Sequence, residues 1–289
     1  MKKLTKTKLF LDGGDPVETA AATKLLNEAG YTGLDGQTTN PSLVAKNPDI
    51  AARIKRGDKL TNDELLRKYK EIVQEIEKNA PGAISVEVYA DESTTVEEIV
   101  VQAREMAAWI DSAVIKLPII KAGLMAAEIL KEEMRLNMTL CFSQPQAAAV
   151  YAATAASKYP VFLSPFIGRL DDKGVDGMQL VANILRMYKE GDGHVEVLVA
   201  SVRSIDHVLG ALNLSVPAMT MPFDKAFRPW AEAGFPLPDG DYEYKFTGKD
   251  INYEKLDLSG DWRGFDIQHE LTDAGLRKFV DDWNALLVS

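Results

Sequence analysis

"SAVIKLPIIKAGLMAAEILKEEMRLNMTLCF", residues 112–142, reads as three elements in a row. The first, SAVIKLPI (112–119), is a short apolar run ended by Pro118, and the last, LNMTLCF (136–142), is a second run of the same kind. Between them AGLMAAEILKEEM (122–134) repeats its apolar residues with the period of a helix. Strand, helix and strand with little chain to spare is the crossover that parallel strands require, because a tight hairpin cannot join them.

The same alternation extends in both directions. KLFLDGG (8–14), TGLDGQTT (32–39), AISVEVYA (83–90), PVFLSPFI (160–167), VEVLVAS (195–201) and PAMTMPF (217–223) bring the strand candidates to eight. Helical patterns stand between most of them, including residues 15–30, 62–79, 94–110, 144–157 and 177–191. Eight such units in 289 residues predict an α/β fold closed into a (β/α)8 TIM barrel. An open doubly wound sheet is the runner-up, weakened because LDGGDP after the first strand lacks the glycine spacing of a dinucleotide site. Residues 235–289 read as an irregular C-terminal excursion rich in Pro, Gly, Asp and aromatics, closed by a final helix at 271–287, with 1–289 taken as one domain. TTNPSL (38–43) reads as strand end, polar turn and helix start: Pro41 holds Asn40 extended, and Ser42 is expected to cap the helix.

Composition narrows the partners. A formal net charge of −10 excludes nucleic acid and anionic membrane as default partners and requires any phosphate site to be local. Cys141 is the sole cysteine, so no intrachain disulfide is expected, and a reducing, cytoplasmic setting fits. The basic start is followed by only a three-residue apolar run, which is not a signal peptide, and no run approaches the roughly 20 residues of a membrane span. His194, His207 and His269 lack metal-ligand spacing, so no metal site is expected. A homo-oligomer is left open.

Several polar residues sit where a bland core would not put them. Lys116 lies within an apolar run, where an ammonium must be paired, reach solvent, or be neutral with a depressed pKa. If neutral, its amine is a nucleophile for a ketone. Glu87 alternates with Val86 and Val88, which turns it into the barrel with Ser85 and Tyr89 and toward the next strand's Lys116. Asp12 ends its strand before two glycines; its plainer reading is a turn residue. Asn137, Thr139 and Ser143, then Ser164 and Arg169, then Ser201 and Arg203, follow on later strands. The two arginines near consecutive strand ends suggest a phosphate clamp, although either alone could pair with Asp171 or Asp172. Asp12, Asn40, Glu87, Lys116, Thr139, Ser164 and Arg203 fall at the C-terminal ends of seven of the eight strands, where barrels of this kind carry their catalytic groups.

Taken together, TTNPSL, VIKLP, NMTLCFS, SPFIGRLDD and ASVRS resemble the motifs of the transaldolase family, in that family's order and strand positions. The resemblance implies transfer of a dihydroxyacetone unit through a lysine Schiff base, from sedoheptulose 7-phosphate or fructose 6-phosphate to glyceraldehyde 3-phosphate or erythrose 4-phosphate, as in the pentose phosphate pathway. It implies Lys116 as the Schiff-base lysine, Glu87 working through a water beside Thr139, and Asp12 as the base for carbon–carbon cleavage. Asn40, Asn137 and Ser164 would hold the dihydroxyacetone unit, with Phe166 in the pocket wall and Arg169, Ser201 and Arg203 on the phosphate. No organic cofactor or metal is implied. Ile120 and Ala122 stand where the family usually has Thr and Glu, a change expected to alter a helix cap and not the chemistry. A fructose 6-phosphate aldolase of the same superfamily is the nearest alternative, disfavoured by Glu87 and Phe166 where that branch tends to have Gln and Tyr. A catalytically silent sugar-phosphate binder is the remote one.

Overall fold

The computed structural model describes residues 1–288 and contains a closed barrel of eight parallel strands in sequence order. They are β1 (Lys8–Asp12), β2 (Gly36–Thr38), β3 (Ala83–Glu87), β4 (Ala113–Pro118), β5 (Leu136–Cys141), β6 (Val161–Pro165), β7 (Val195–Val199) and β8 (Ala218–Met221). The helices α1 (Pro16–Glu28), α2 (Pro41–Ala45), α3 (Pro48–Lys55), α4 (Asn62–Asn79), α5 (Val96–Ala107) and α6 (Lys121–Leu130) accompany the first half. The second half carries α7 (Gln144–Ala153), α8 (Ile167–Asp171), α9 (Gly177–Tyr188), α10 (Ile205–Asn213), α11 (Arg228–Glu232) and α12 (Glu270–Asn284). The chain is thus the (β/α)8 TIM barrel that its alternation predicts.

Alternation along the strands sorts the interior into layers. Phe10, Val114, Phe162, Leu198 and Ala218 form an apolar plug inside the barrel, separate from the larger core between strands and helices. Phe10 meets Phe162 edge-on at 5.7 Å. Gly36 makes room for this plug, since a Cβ there would lie 2.5 Å from the Phe10 ring. The next inward positions along the strands are polar: Asp12 faces Thr38, and Glu87 lies in register with Lys116, which in turn pairs with Asn137.

Three local expectations need correction. Asn40, not Ser42, caps α2: its Oδ1 accepts from Leu43 N–H at 2.9 Å while Pro41 takes the first helical position, where a missing N–H costs nothing. Ser42 instead hydrogen-bonds Asp282 of α12. Strand β2 is shorter than its sequence run, because the Asp35 carboxylate takes the Leu9 N–H at 3.0 Å. Tyr89, expected on the inner face with Glu87, lies beyond the end of β3 on the rim, where its hydroxyl donates to Asp91 and accepts from Asn284. The cap of α6 follows its sequence: Ile120 occupies the N-cap and makes no side-chain bond.

Residues 235–269 run over the outside of α9 and α7 and return to the barrel mouth. Asn183 donates to Ile251 O, and the Gln144 amide pairs with the backbone of Asn252 and Glu254. Helix α12 then lies across the C-terminal end of the barrel against α2 and β5. Its anchor is Leu140, whose left-handed φ of 64° presents a carbonyl that accepts from Thr272 Oγ1 at 3.0 Å.

Candidate active site

Lys116 and Glu87, neighbours on β4 and β3, are each 2% exposed, with Lys116 Nζ 3.0 Å from Glu87 Oε2. The approach is an ion contact without hydrogen-bond alignment, so Oε2 keeps acceptor capacity toward the interior. Lys116 Nζ donates to Thr39 O at 3.2 Å. Burial raises the pKa of Glu87, and the Lys116 charge opposes that rise. Such a carboxyl can take up the proton that an ammonium must lose before its nitrogen can attack a carbonyl.

This pair is held by a chain of hydrogen bonds from α4. The Tyr69 hydroxyl accepts from Glu87 N–H at 2.9 Å and lies 2.5 Å from Thr39 Oγ1, which donates to Ser85 O. Across the interior Ser164 donates to Asn137 Oδ1 at 2.8 Å, and Asn137 Nδ2 donates to Ser85 Oγ at 3.0 Å. Thr139 Oγ1 is buried with no hydrogen-bond partner among the described residues, on the residue in register with Pro118 of β4. Its hydroxyl is therefore uncommitted, in the interior that Lys116 and Glu87 share.

Asp12 stands on the other side of the interior. Thr220 bonds to Thr38, whose hydroxyl donates to Asp12 Oδ1 at 2.7 Å, fixing the carboxylate. Burial raises its pKa, against the pull of Lys116, Thr38, Lys46 and Arg169. Asp12 also lines a cavity of about 180 Å³ at the mouth, with Asn40, Phe166, Arg169, Ser201 and Arg203 around it. Arg169 projects from α8 between the Phe166 and Phe279 rings, its guanidinium carbon 5.1 and 5.6 Å from their centroids. It has no carboxylate in ion-pair range among the described residues, and burial lowers its pKa. Arg203 pairs with Asp172 at 2.5 Å, one of the two partners its sequence neighbourhood offered.

The structure thus brings Lys116, Glu87, Thr139, Asn137 and Ser164 together in the interior, and places Asp12, Asn40, Phe166, Arg169, Ser201 and Arg203 on the cavity above it. Sequence reasoning missed Lys46, Lys225, Lys278 and Phe279, which share that cavity. Lys46 follows the TTNPSL stretch closely enough to have been considered. Nothing in residues 270–284 announced that α12 would cross the mouth. A larger groove of about 660 Å³ lies between the ends of α7 and α9 and residues 253–259. It contains none of the interior polar groups, so size does not locate the chemistry here.

A lysine and a carboxylate paired below an arginine-lined mouth define a barrel suited to an anionic carbonyl compound. The chain belongs to the transaldolase/fructose-6-phosphate aldolase family, whose model matches residues 9–289. It is 37% identical over 276 residues to a protein of Anaeromyxobacter sp. (strain Fw109-5) named "Probable transaldolase", covering 95% of this chain and 96% of that one. Proteins of the same name from Caulobacter sp. (strain K31) and Methanococcus maripaludis are 34% and 33% identical, covering 95% and 96% of this chain and 95% and 98% of theirs. It is an enzyme of the transaldolase family.

Proposed function

We propose that the protein is a transaldolase that carries a dihydroxyacetone unit on Lys116. The observation that carries this reading is the buried Lys116–Glu87 contact beneath a mouth lined by Arg169 and Arg203. Lys116 Nζ attacks the C2 carbonyl of fructose 6-phosphate or sedoheptulose 7-phosphate. Glu87, working through a water beside Thr139, moves the protons that turn the carbinolamine into a protonated imine and release water. Asp12 removes the C4 hydroxyl proton, the C3–C4 bond breaks, and its electron pair passes into the iminium to leave an enamine. The aldose departs. The enamine then attacks C1 of glyceraldehyde 3-phosphate or erythrose 4-phosphate, Asp12 returns its proton, and hydrolysis frees the lysine.

In this reading Asn40, Asn137 and Ser164 hold the hydroxyls of the bound unit, and Arg169, Ser201 and Arg203 hold the phosphate. Phe166 favours transfer over simple cleavage: its ring lines the cavity and packs on Phe142 at 5.8 Å, with no hydroxyl to protonate the enamine. The test is release of glyceraldehyde 3-phosphate from fructose 6-phosphate with and without erythrose 4-phosphate, alongside borohydride trapping of the ketose adduct. Acceptor-dependent release and an adduct on Lys116 are expected. Equal release without acceptor would replace this reading with an aldolase, and no adduct would remove Schiff-base chemistry altogether.

A further inference from the structure

Behind the mouth, on the side away from Lys116, lies a side-chain cluster that the reaction steps leave unused. The segment after β7 bends sharply to present Ser201 and Arg203, and Ser201 takes a left-handed φ of 59°. A residue with a Cβ keeps that conformation only where its surroundings hold it. On one side Gly168 N–H donates to Ser201 O at 3.2 Å, an approach so close that a Cβ on Gly168 would lie 2.4 Å from that oxygen and 2.6 Å from Arg203 Nε. On the other side Arg203 N–H donates to His207 Nδ1 at 3.1 Å.

His207 sits in the first turn of α10, is 9% exposed, and receives the cap of Ser204 on its own N–H. Its second ring nitrogen, Nε2, lies 2.8 Å from Asp171 Oδ2. The other oxygen of Asp171 accepts from Gly177 N–H at 3.0 Å, at the start of α9. Because Nδ1 accepts the backbone N–H, the ring proton belongs on Nε2, facing the carboxylate. The imidazole therefore ties the Arg203 backbone to the end of α8, the short helix that carries Arg169. Asp172, the next residue, holds the Arg203 side chain. Tyr244 from the C-terminal excursion packs over the imidazole at 6.0 Å.

We propose that His207 is a positioning residue for the anion clamp: the Asp171–His207 strut fixes the distance and angle between Arg169 and Arg203. The proposal rests on the sugar-phosphate reading of the site only for what the anion is. A bidentate or two-arginine grip on a phosphate depends on both guanidinium groups being placed before the ligand arrives, since ordering them afterwards subtracts from affinity. Removing the Nδ1 acceptor leaves the Arg203 N–H without its partner and frees a strained turn to relax.

The test compares His207→Ala with His207→Asn, whose Oδ1 can occupy the place of Nδ1. Two readouts are taken: steady-state kinetics with fructose 6-phosphate and with unphosphorylated fructose, and calorimetric titration with inorganic phosphate. For His207→Ala, loss of the acceptor for a partly buried N–H should raise KM for fructose 6-phosphate and weaken phosphate binding by about tenfold. The kcat, and all constants for fructose, should stay within about twofold, and His207→Asn should recover most of the loss in both readouts. Equal losses with both sugars, a fall in kcat alone, or wild-type protein that does not bind phosphate would overturn the proposal. If His207→Ala fails to fold, His207→Asn and Asp171→Asn carry the same comparison through the phosphate titration. A wild-type protein that binds phosphate through this strut yet leaves fructose 6-phosphate unchanged would sink the proposed reaction and leave the strut standing.

Discussion

Lys116 and Glu87 at the floor of the site are buried and 3.0 Å apart, whereas five cations, Lys46, Arg169, Arg203, Lys225 and Lys278, line the cavity above with one carboxylate, Asp12. The floor balances its charges and fixes most of its neighbours by hydrogen bonds, with Thr139 Oγ1 and Glu87 Oε2 left unpartnered among the described residues, so a proton moved there acts in a low dielectric against few competing solvent dipoles. The mouth is partly exposed and keeps an excess of cations even with Arg203 paired to Asp172 and Lys278 to Asp282, in a chain of net charge −10. An excess of positive charge confined to one rim draws and orients an anion but gives no route for making or breaking a carbon–carbon bond. On the proposed reaction the floor would carry turnover and the mouth substrate selection, and substitutions in the two regions should separate kcat from KM.

The sharpest way to break that division is Lys116→Met, which keeps a long apolar stem and removes the amine. Turnover should fall by about 10⁴-fold or more, as when a covalent nucleophile is removed. Phosphate affinity should change little, because the proposed clamp residues Arg169 and Arg203 lie on α8 and in the segment after β7 and not on β4. Calorimetric titration with inorganic phosphate, next to a rate measurement, checks both. Parallel loss of binding would show floor and mouth to be one unit.

Asp12 borders both regions and gives the next largest effect. Asp12→Asn keeps the acceptor for Thr38 but removes the base, so kcat should fall by roughly 10²- to 10⁴-fold. The same change should stabilise the protein. Burial raises the folded-state pKa of Asp12, so its ionised form is less favourable folded than unfolded. The stability contribution is therefore fully present below the unfolded pKa and is lost as pH rises through the folded one. The Tm advantage of Asp12→Asn over the native protein should be absent near pH 3 and open as pH rises toward 7. A constant difference across that range would mean that Asp12 does not titrate as its burial requires.

In the mouth, Arg169→Gln should act on KM. The guanidinium has aromatic neighbours in place of a carboxylate partner, so its charge is available to a ligand. Loss of charge-assisted bonds to a phosphate predicts a rise in KM for fructose 6-phosphate of about 10- to 100-fold and a much smaller change for unphosphorylated fructose. An equal effect on both sugars would place Arg169 in the packing of Phe166 and Phe279 and not in recognition.

How much of this was legible in the sequence follows the same division. Period-two alternation puts Glu87 beside Val86 and Val88, and the strand order puts Lys116 next to it; the observed register of Glu87 with Lys116 needs no further information. Strand-borne groups are readable because a strand has two faces and a closed barrel one interior. Asn40 and Ser42 were harder, since either residue type caps a helix and only the fold of the chain selects between them. Lys225 and Lys278 were not legible at all, and Lys46 only by its nearness to TTNPSL: an exposed lysine on or beside a helix has the same local sequence whether it faces a cavity or open solvent. The amphipathic pattern of α12 shows that one face is buried, but what it covers is set by Leu140 O and by Ser42, more than 130 and 230 residues earlier in the chain. His207 likewise carried no metal-ligand spacing, and its link to Asp171 exists only once α8 and α10 are side by side.

The smallest expected effect concerns two of the residues that sequence reasoning missed. Lys46 and Lys225 flank the cavity from the β2 and β8 sides, opposite one another across Asp12, and neither has a carboxylate in ion-pair range among the described residues. If they act by their field and not by a fixed contact, the double variant Lys46→Gln/Lys225→Gln should lower kcat/KM for a phosphorylated ketose by only a few-fold at low ionic strength, the size typical of exposed charges. The loss should fade as salt rises, because at 0.5 M the screening length falls to about 4 Å and a charge that acts without direct contact is then largely screened. Arg169→Gln, which on the proposed reading removes a direct contact from a half-buried position, should keep most of its effect at the same salt. Measuring both variants against ionic strength therefore separates two kinds of positive charge in one mouth. A salt-resistant loss in the double variant would make Lys46 or Lys225 a direct ligand of the substrate, and the clamp would then extend around the rim instead of ending at β7.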